Sequence, residues 1–262
     1  MVSTGGRRAA IVTGAGTGIG AATAIWLAAR GYDVLVNYSA SGAAAAAVVE
    51  RCMASGADAL TAQGDVARDA DCRRLAAEAE KRWGRIDALI NCAGVTKFVA
   101  MSDLDGLDAA DFERIFAVNA IGPFQMARAV AAAMRRTGGA IVNVSSVAGV
   151  AGTGSSYAYA ASKGALNTLT LALARNLAPE IRVNAVLPGM VEGRWLREGL
   201  GEDAYVRVRD RFAGDAALAR VATPEEIADT IGFLIEGAPG ITGQLLTVDS
   251  GLALGRPPSV AK

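Results

Sequence analysis

The segment SSVAGVAGTGSSYAYAASKG, at 145–164, contains groups that exchange protons: several serines, two tyrosines and one lysine. Tyr159 and Lys163 are four residues apart, so a helix places both side chains on one face, whereas Tyr157 is six residues from the lysine. A neighbouring ammonium favours the phenolate, and we therefore expect the pKa of Tyr159 to lie below its usual value of about 10. The pattern predicts a tyrosine that acts as a general acid or base.

The lysine at 163 is unusual for this chain, because only four of its 26 basic residues are lysines. An ammonium is a compact, rotatable donor and differs chemically from a planar guanidinium. The alternative interpretation is an incidental tyrosine and lysine pair on a half-exposed helix. The chain has no histidine, which excludes a Ser-His-Asp hydrolase, an HExxH metalloprotease and a histidine-rich metal site. We predict no metal ligands.

The segment TGAGTGIG, at 13–20, lies between the first apolar strand pattern and a helix pattern. Its glycines allow the backbone to approach a pyrophosphate, which then binds at the N-terminal amides of the helix. A turn that uses glycine only for its backbone conformation is the alternative. Its position in the first βα turn favours a dinucleotide. The predicted contacts are Gly14, Gly16, Thr17, Gly18, Ile19 and Gly20.

The end of the second strand pattern, VLVNYSASG, indicates which dinucleotide is bound. Enzymes that use NAD place an aspartate or glutamate here, on the ribose 2′-hydroxyl. This chain has neither, and Asn37, Ser39 and Ser41 offer hydrogen bonds to a 2′-phosphate without repelling it. Thr17 is also neutral, and no arginine lies in this turn. We predict NADP(H) as the cofactor and keep NAD(H) as the alternative.

Seven short apolar runs alternate with helical patterns and must position these groups. Several runs are apolar at nearly every position, which is typical of strands buried on both faces of a parallel sheet. The alternation predicts an α/β fold, with a doubly wound parallel sheet and helices on both faces, in one domain over 1–262. Segment 190–220 is charged and interrupts the alternation, so we interpret it as a substrate lid. The predicted strands are 9–13, 33–38, 59–63, 86–91, 140–145, 181–187 and 244–248.

Basic and acidic residues both number 26, so the net charge favours neither nucleic acid nor an anionic membrane as a partner. The apolar runs are shorter than the roughly 20 residues that span a bilayer, and the N-terminal sequence lacks a secretory signal pattern. Cys52, Cys72 and Cys92 form no CxxC motif and are odd in number. We predict a cytoplasmic protein.

Several motifs, taken in order, resemble those of the classical short-chain dehydrogenases/reductases over almost the whole chain. The segment ITGQLLTVDSG is similar to the 3-oxoacyl-carrier-protein-reductase-like subgroup. The resemblance implies a parallel sheet of seven strands in the order 3-2-1-4-5-6-7 and a homotetramer. The matching motifs are TGAGTGIG, Asp65, NCAG at 91–94, Asn119, the serine pair at 145–146, YAASK at 159–163 and PG at 188–189.

The resemblance also implies a role for each candidate catalytic residue. The family's catalytic serine precedes its tyrosine by about 13 residues, which selects Ser146 rather than Ser145. Tyr159 is then the general acid in reduction and the general base in oxidation. Ser146 binds the substrate carbonyl oxygen, and Lys163 holds the nicotinamide ribose and lowers the tyrosine pKa. Asn119 supports a proton relay through water.

Further cofactor contacts follow from the resemblance in three segments, along the adenosine ribose, at the adenine and past the nicotinamide. In the adenosine-ribose segment, strand packing alone also explains the small residues. In the adenine segment, a helix-capping role also explains Asp65. Gly193 stands where the family often has a threonine that holds the carboxamide, so this contact is expected to be lost. The matched positions are Asn91, Ala93 and Gly94, then Asp65 and Val66, then Pro188 and Gly189.

The substrate pocket is expected to form from the segments that follow Gly94, Ser146 and Gly189. Its apolar side chains are Phe98, Val147, Val150 and Trp195. Arg194, Arg197, Arg207 and Arg209 either receive an anionic carrier or form a solvated helix face. We predict NADPH-dependent reduction of a small-molecule carbonyl, such as a 3-oxoacyl compound. The alternatives are NAD-dependent oxidation of a sugar, polyol or steroid alcohol, and a dinucleotide-binding regulator without turnover.

Overall fold

A computed structural model of the chain describes residues 6–255, and its centre is one parallel sheet of seven strands. In chain order the strands are β1 (Arg8–Val12), β2 (Tyr32–Tyr38), β3 (Ala59–Gln63), β4 (Ala88–Asn91), β5 (Gly139–Val144), β6 (Ile181–Pro188) and β7 (Leu245–Val248). Their order across the sheet is β3-β2-β1-β4-β5-β6-β7. The expected fold class and strand order are confirmed, and the ends of the predicted strands differ from the observed ones by at most two residues.

Ten α-helices connect and cover the strands within the described residues. In chain order they are α1 (Gly18–Ala28), α2 (Gly42–Ala54), α3 (Asp69–Trp83), α4 (Ala109–Phe116), α5 (Gly122–Thr137), α6 (Ala148–Ala151), α7 (Tyr157–Leu177), α8 (Arg194–Leu200), α9 (Glu202–Asp215) and α10 (Pro224–Gly232). The segment predicted as a lid therefore folds into the two helices α8 and α9.

The core consists of two apolar layers, one on each face of the sheet. Neighbouring residues of a strand point to opposite faces, and on β1 Ile11 and Val12 enter different layers. Val12 packs in the layer that contains Leu27 of α1, together with residues of α2 and α10. Ile11 packs in the layer that contains Leu75 of α3 and Met126 of α5, together with residues of α7. Burial on both faces explains why the strand patterns are almost continuously apolar.

The helical pattern around 109–137 is not one regular helix. A π-helical turn, Ala117–Ile121, separates α4 from α5 and contains Asn119. The stretch Ala109–Thr137 has a mean hydropathy of 1.2 and is, within residues 6–255, the one helix long and apolar enough to cross a membrane. Half of its apolar window is buried inside the protein, where α5 packs against α3. We interpret it as a core helix.

All seven strands run in the same direction, so their carboxyl ends meet at one edge of the sheet. This edge receives the glycine-rich turn after β1, the NCAG segment after β4, Ser146 after β5 and Gly189 after β6. Residues that are far apart in the chain become neighbours there. In doubly wound folds this edge is where ligands bind.

Candidate active site

The glycine-rich turn joins β1 to α1. Gly14 has a φ of +61°, and a Cβ atom placed on it would lie 2.7 Å from the Cα atom of Ala93. A Cβ atom on Gly20 would lie 2.5 Å from the carbonyl oxygen of Gly14. Side chains at these two positions would collide with backbone, so the glycines allow the turn, the helix and the segment after β4 to pack closely.

The first turn of α1 presents backbone amides to the outer side of this turn. Thr17 precedes the helix in an extended conformation, its side chain makes no capping hydrogen bond, and the first helical turn has no acidic residue. Thr17 and Gly18 are exposed, Ile19 is half-buried, and a Cβ atom on Gly16 would lie 3.5 Å from Ser41. A helix N-terminus carries unpaired N–H groups and partial positive charge, so this segment fits a pyrophosphate.

Asn37 does not face the cofactor side in the way the sequence predicts. It is buried at the end of β2, and its Oδ1 atom accepts a hydrogen bond from the Gly14 amide at 3.3 Å. Its Nδ2 atom donates to the carbonyl oxygens of Ala62 at 3.2 Å and Gly64 at 3.0 Å. The predicted hydrogen bond from Asn37 to a 2′-phosphate is therefore wrong, because both amide hydrogens are used inside the protein.

Ser39 lines an open depression of about 430 Å³ beyond the end of β2. Arg68 and Arg74, at the start of α3, line the same depression. Each arginine also forms an ion pair of 3.1 Å with Asp71. Neither arginine was predicted as a cofactor contact, because both follow β3 rather than β2. The available signal was their position at the beginning of the next helix, whose N-terminus lies at the same edge of the sheet.

Asp65 and Val66 follow β3 at the edge of this depression. The Oδ1 atom of Asp65 accepts a hydrogen bond from the Ala67 amide at 3.0 Å, and α3 begins only at Asp69, so Asp65 is not its N-cap. Val66 is buried, and its carbonyl oxygen accepts a hydrogen bond from Gln125 at 2.9 Å. The helix-cap alternative for Asp65 is therefore excluded, and an adenine contact stays a prediction.

The NCAG segment divides into a buried part and an exposed part. Asn91 is buried and donates a hydrogen bond of 2.9 Å to Asn143, which donates one of 2.8 Å to Thr170 on α7. This side chain thus links β4 to β5 and, through Asn143, to α7. Ala93 is half-buried against Gly14, whereas Gly94 is exposed. These two residues, rather than the side chain of Asn91, are available to a ribose.

The first turns of α7 bring the tyrosine and the lysine together. The Nζ atom of Lys163 lies 5.6 Å from the centre of the Tyr159 ring and donates a hydrogen bond of 2.8 Å to the carbonyl oxygen of Val144. Ser146 hydrogen-bonds to the Tyr159 side chain. A Cβ atom on Gly94 would lie 3.9 Å from the same Nζ atom, so the lysine reaches the exposed part of the NCAG segment. The structure therefore assembles Ser146, Tyr159 and Lys163 in one place.

The neighbouring serine and tyrosine have other partners. Ser145 is buried, and its hydroxyl donates to Asn167 at 2.6 Å and to the backbone carbonyl of Lys163 at 3.2 Å, both on α7. Tyr157 is exposed, and its hydroxyl donates to the carbonyl oxygen of Met101 at 2.8 Å. Neither hydroxyl bonds to the side chain of Tyr159 or Lys163. The geometry agrees with the choice of Ser146 and Tyr159 among the candidates in this segment.

The pKa of Tyr159 does not shift in the expected direction. Burial raises it to about 12, and the hydrogen bond from Ser146 only partly opposes this effect. Burial also lowers the pKa of Lys163 to about 8. The lysine is 4% exposed and its ammonium is directed to the Val144 carbonyl. The predicted lowering of the tyrosine pKa by Lys163 is therefore wrong for the protein alone, because burial penalises the charged form of each group.

Asn119 is fully buried in the π-helical turn. Its Oδ1 atom accepts a hydrogen bond from the Val95 amide, and its Nδ2 atom donates to the Val95 carbonyl, both at 2.9 Å. The Nδ2 atom also donates to Ser162 on α7 at 3.0 Å. The side chain therefore ties the segment after β4 to α7. Its direct partners are protein groups, and the predicted relay through water stays a prediction.

The turn after β6 lies against the chain that follows β7. Pro188 is buried, and Gly189 donates a backbone hydrogen bond of 3.0 Å to Val248. A Cβ atom on Gly189 would lie 2.9 Å from the Cβ atom of Asp249, so this turn needs a glycine. Gly193 immediately precedes α8. The turn thus leads directly from the sheet edge into segment 190–220.

Segment 190–220 covers the tyrosine with an aromatic side chain. The ring centre of Trp195 on α8 lies 6.0 Å from that of Tyr159 and 5.8 Å from that of Phe98. Arg194 and Arg197 form ion pairs with Glu198 and Glu202 at 3.2 Å and 2.7 Å. Arg209 likewise pairs with Asp210 at 2.7 Å, and Arg207 is exposed. For the paired arginines these contacts favour the solvated helix face over a site for an anionic carrier.

The assembled groups suit one type of chemistry. A protonated phenol, a serine hydroxyl bonded to it and a buried amine surround one point at the carboxyl edge of the sheet. The turn that fits a pyrophosphate lies at the same edge. Such a site can transfer a proton to or from an oxygen atom while a bound dinucleotide exchanges hydride with the attached carbon.

Known proteins share this arrangement over nearly the whole chain. A family model described as enoyl-(acyl carrier protein) reductase matches residues 14–253. A Streptomyces violaceoruber protein named as ketoacyl reductase 2 of the granaticin polyketide synthase is 37% identical over 246 residues, covering 94% of this chain and 96% of that protein. The 3-oxoacyl-[acyl-carrier-protein] reductase of Synechocystis is 36% identical over 249 residues, with coverage of 94% and 96%.

A solved structure gives the same result. A Burkholderia xenovorans protein assigned to the short-chain dehydrogenases/reductases superposes with a TM-score of 0.89 at 45% identity, covering 97% of this chain and 100% of that one. The residues matched by the family model, 14–253, include most of the glycine-rich turn, the segment after β4 and the helix that carries Tyr159 and Lys163. The chain therefore belongs to the short-chain dehydrogenase/reductase family, whose members use nicotinamide dinucleotides, and it is an oxidoreductase that acts on carbonyl and alcohol groups.

Proposed function

We propose that this protein is an NADPH-dependent reductase of ketones of the 3-oxoacyl type or of similar shape. The observation that carries the proposal is the position of Tyr159, which is hydrogen-bonded to Ser146 and lies on the same helix face as Lys163. The relatives named as ketoacyl reductases support reduction as the direction.

In this proposal each group of the cluster acts on one atom. Tyr159 donates its proton to the substrate oxygen, and because its pKa is raised the phenol is protonated at neutral pH. Ser146 donates a hydrogen bond to the same oxygen, and Lys163 binds the nicotinamide ribose. When bound, the nicotinamide supplies the hydride. Asn119 fixes the segment after β4 against α7, so that the site keeps its shape.

The preference for NADPH is supported by the surroundings of the β2 end. Ser39 and Ser41 are exposed there, and no carboxylate follows the strand to repel a phosphate. Arg68 and Arg74 add positive charge to the depression that Ser39 lines. Asp65 and Asp71 lie in the same depression, so NAD(H) remains the alternative cofactor.

We also propose that segment 190–220 is a lid over a small-molecule substrate, and that the enzyme is a cytoplasmic homotetramer without nucleic acid or membrane partners. Helix α8 has no buried residue, as a mobile cover requires. Phe112, Phe124 and Leu171 are 37%, 40% and 45% exposed on α4, α5 and α7. Exposed apolar residues on neighbouring helices are typical of subunit interfaces. Light scattering of the purified protein tests the tetramer.

Steady-state kinetics with both cofactors across a panel of ketones and alcohols tests the proposed function. We expect consumption of NADPH with activated ketones and a kcat/KM for NADPH at least tenfold above that for NADH. A preference for NAD with a sugar, polyol or steroid alcohol would establish the alternative dehydrogenase. Saturable binding of NADPH without turnover on any substrate would identify a regulator.

Replacement of Gly14 by alanine should weaken NADPH binding at least 100-fold, because the new Cβ atom would lie 2.7 Å from Ala93 and displace the turn. Fluorescence titration with NADPH measures this change. Gly31→Ala is the matched control, since Gly31 also has a positive φ of +84° but no atom within 4 Å of an added Cβ. It should keep its NADPH affinity. Unchanged affinity in folded Gly14→Ala would contradict the assigned cofactor site.

A further inference from the structure

The aromatic corner formed by Phe98, Tyr159 and Trp195 has features that the proton-transfer chemistry does not require. The rings of Phe98 and Trp195 are tilted by 55°, and those of Tyr159 and Trp195 by 45°. Trp195 remains 46% exposed although it touches the site. A large, half-exposed indole beside a reactive phenol offers apolar surface to whatever approaches that phenol.

Helix α8 is held on the protein through this corner. A Cβ atom on Gly199 would lie 2.0 Å from the Phe98 ring, so the backbone of α8 rests directly on that ring. A Cβ atom on Gly154 would lie 3.5 Å from the Tyr159 ring, so Gly154 and Trp195 both border this ring. The bulky neighbour of the phenol is therefore the indole. We expect the substituents of a ketone bound at the Tyr159 hydroxyl to lie next to it.

The cations on α8 and beside Phe98 are paired with acids. Arg194 and Arg197 on α8 bind Glu198 and Glu202. Lys97, which precedes Phe98, binds Asp111 at 2.6 Å. These pairs neutralise the positive charge on the outer side of the corner that would attract a phosphorylated carrier. Apart from the buried Lys163, which binds the Val144 carbonyl, the corner is aromatic surface, which favours flat apolar groups by offset or edge-to-face contact.

We propose that Trp195 and Phe98 select ketones that carry an uncharged aromatic ring next to the carbonyl group. This inference rests on the proposed function and specifies its substrate class. Trp195 provides the face against which the ring of the substrate packs, and Phe98 sets the tilt of the indole. Both residues contact the substrate, and neither exchanges a proton with it.

Two β-keto esters that differ in one group test the proposal: ethyl benzoylacetate carries a phenyl ring where ethyl acetoacetate carries a methyl group. We expect the wild-type enzyme to reduce the phenyl ester with a kcat/KM about tenfold higher, as ring contacts of this kind allow. Trp195→Ala should bring the ratio of the two kcat/KM values close to 1, chiefly by raising KM for the phenyl ester. Trp195→Phe and Phe98→Leu keep apolar bulk and should retain more of the preference for the phenyl ester.

Arg194→Ala is the control on the same helix, because its side chain contacts Glu198 rather than the aromatic corner. The ratio should be unchanged in this variant. Equal loss for both esters in Trp195→Ala and Trp195→Phe would show that the indole only supports the lid, and would overturn the proposal. A wild-type enzyme that reduces both esters equally would also overturn it. An enzyme that reduces no ketone at all would instead overturn the proposed function.

Binding without turnover gives a second readout. In Tyr159→Phe, ethyl benzoylacetate should quench tryptophan fluorescence in the presence of NADP⁺, because its ring lies on Trp195. The other two tryptophans lie near the C-terminal ends of α1 and α3, at the opposite edge of the sheet, where Trp26 donates to Asp229 and Trp83 to Asp58. Adding Trp195→Phe should remove the quenching, whereas adding Trp83→Phe should preserve it. Quenching that survives Trp195→Phe would contradict the placement of the substrate ring.

Discussion

Tyr159→Phe is expected to lower kcat about 1,000-fold or more while leaving the Kd for NADPH within about threefold of the wild-type value. General acid catalysis by a positioned group contributes about 10² to 10⁴ in rate, and the chain has no histidine to replace it. The phenol is also hydrogen-bonded to Ser146, which would lose its partner. Stopped-flow measurement of NADPH oxidation and fluorescence titration separate the two effects.

Tyr157→Phe is the matched control for this experiment. It also removes one phenolic hydroxyl, two residues earlier on the same helix. That hydroxyl donates a hydrogen bond to the Met101 carbonyl. Turnover should stay within about twofold of the wild-type value, as an exposed hydrogen bond is worth about 1 kcal/mol or less. If Tyr157→Phe were inactive and Tyr159→Phe active, the assignment of the proton donor would be wrong.

Lys163→Met is expected to abolish turnover and, at the same time, to raise the melting temperature at pH 7. Burial lowers the pKa of Lys163 from its usual value of 10.5 to about 8, so the folded protein holds the ammonium at a cost. This difference in pKa corresponds to a loss of about 3 kcal/mol in the free energy of unfolding at pH 7. Lys163→Met removes this cost but also removes the hydrogen bond to the Val144 carbonyl, which is worth about 1 kcal/mol. The net stabilisation of about 2 kcal/mol predicts a melting temperature about 5 °C higher.

The pH dependence of stability provides the decisive measurement for Lys163. Below about pH 8 the lysine is protonated in both folded and unfolded states, so the free-energy cost of burying the ammonium is fully present. Between pH 8 and 10.5 the unfolded chain binds more protons than the folded one, so wild-type stability should gain from rising pH. The advantage of Lys163→Met should therefore shrink from pH 7 to pH 9.5. A variant that is less stable than wild type at pH 7 would refute this account.

The fold was predictable from the sequence because burial on both faces gives the central strands, such as β1 and β4, continuous apolar runs. The spacing of Tyr159 and Lys163 was equally informative, since helix geometry alone puts side chains four residues apart on one face. The strands and the Tyr159–Lys163 pair were both predicted from local periodicity. Neither prediction required knowing which side chains contact each other across the sheet.

The errors concern interactions that local pattern does not encode. The pKa of Tyr159 depends on how deeply the finished fold buries it, and this cannot be deduced from a neighbouring lysine. The inward orientation of Asn37 depends on carbonyl groups of the β3 segment, which lie beyond α2 in the chain. Arg68 and Arg74 were missed for the same reason, since only the parallel pairing of β2 with β3 brings α3 close to Ser39.

The inward orientation of Asn37 has a practical consequence for redesign of coenzyme choice. Substitution at this position would remove the side-chain hydrogen bonds that connect the glycine-rich turn to the β3 segment, and we expect a variant to lose affinity for either coenzyme rather than switch between them. Libraries that aim to exchange one coenzyme for the other should leave residue 37 fixed. They should diversify 39–41 together with Arg68, which lines the same depression and is paired with Asp71.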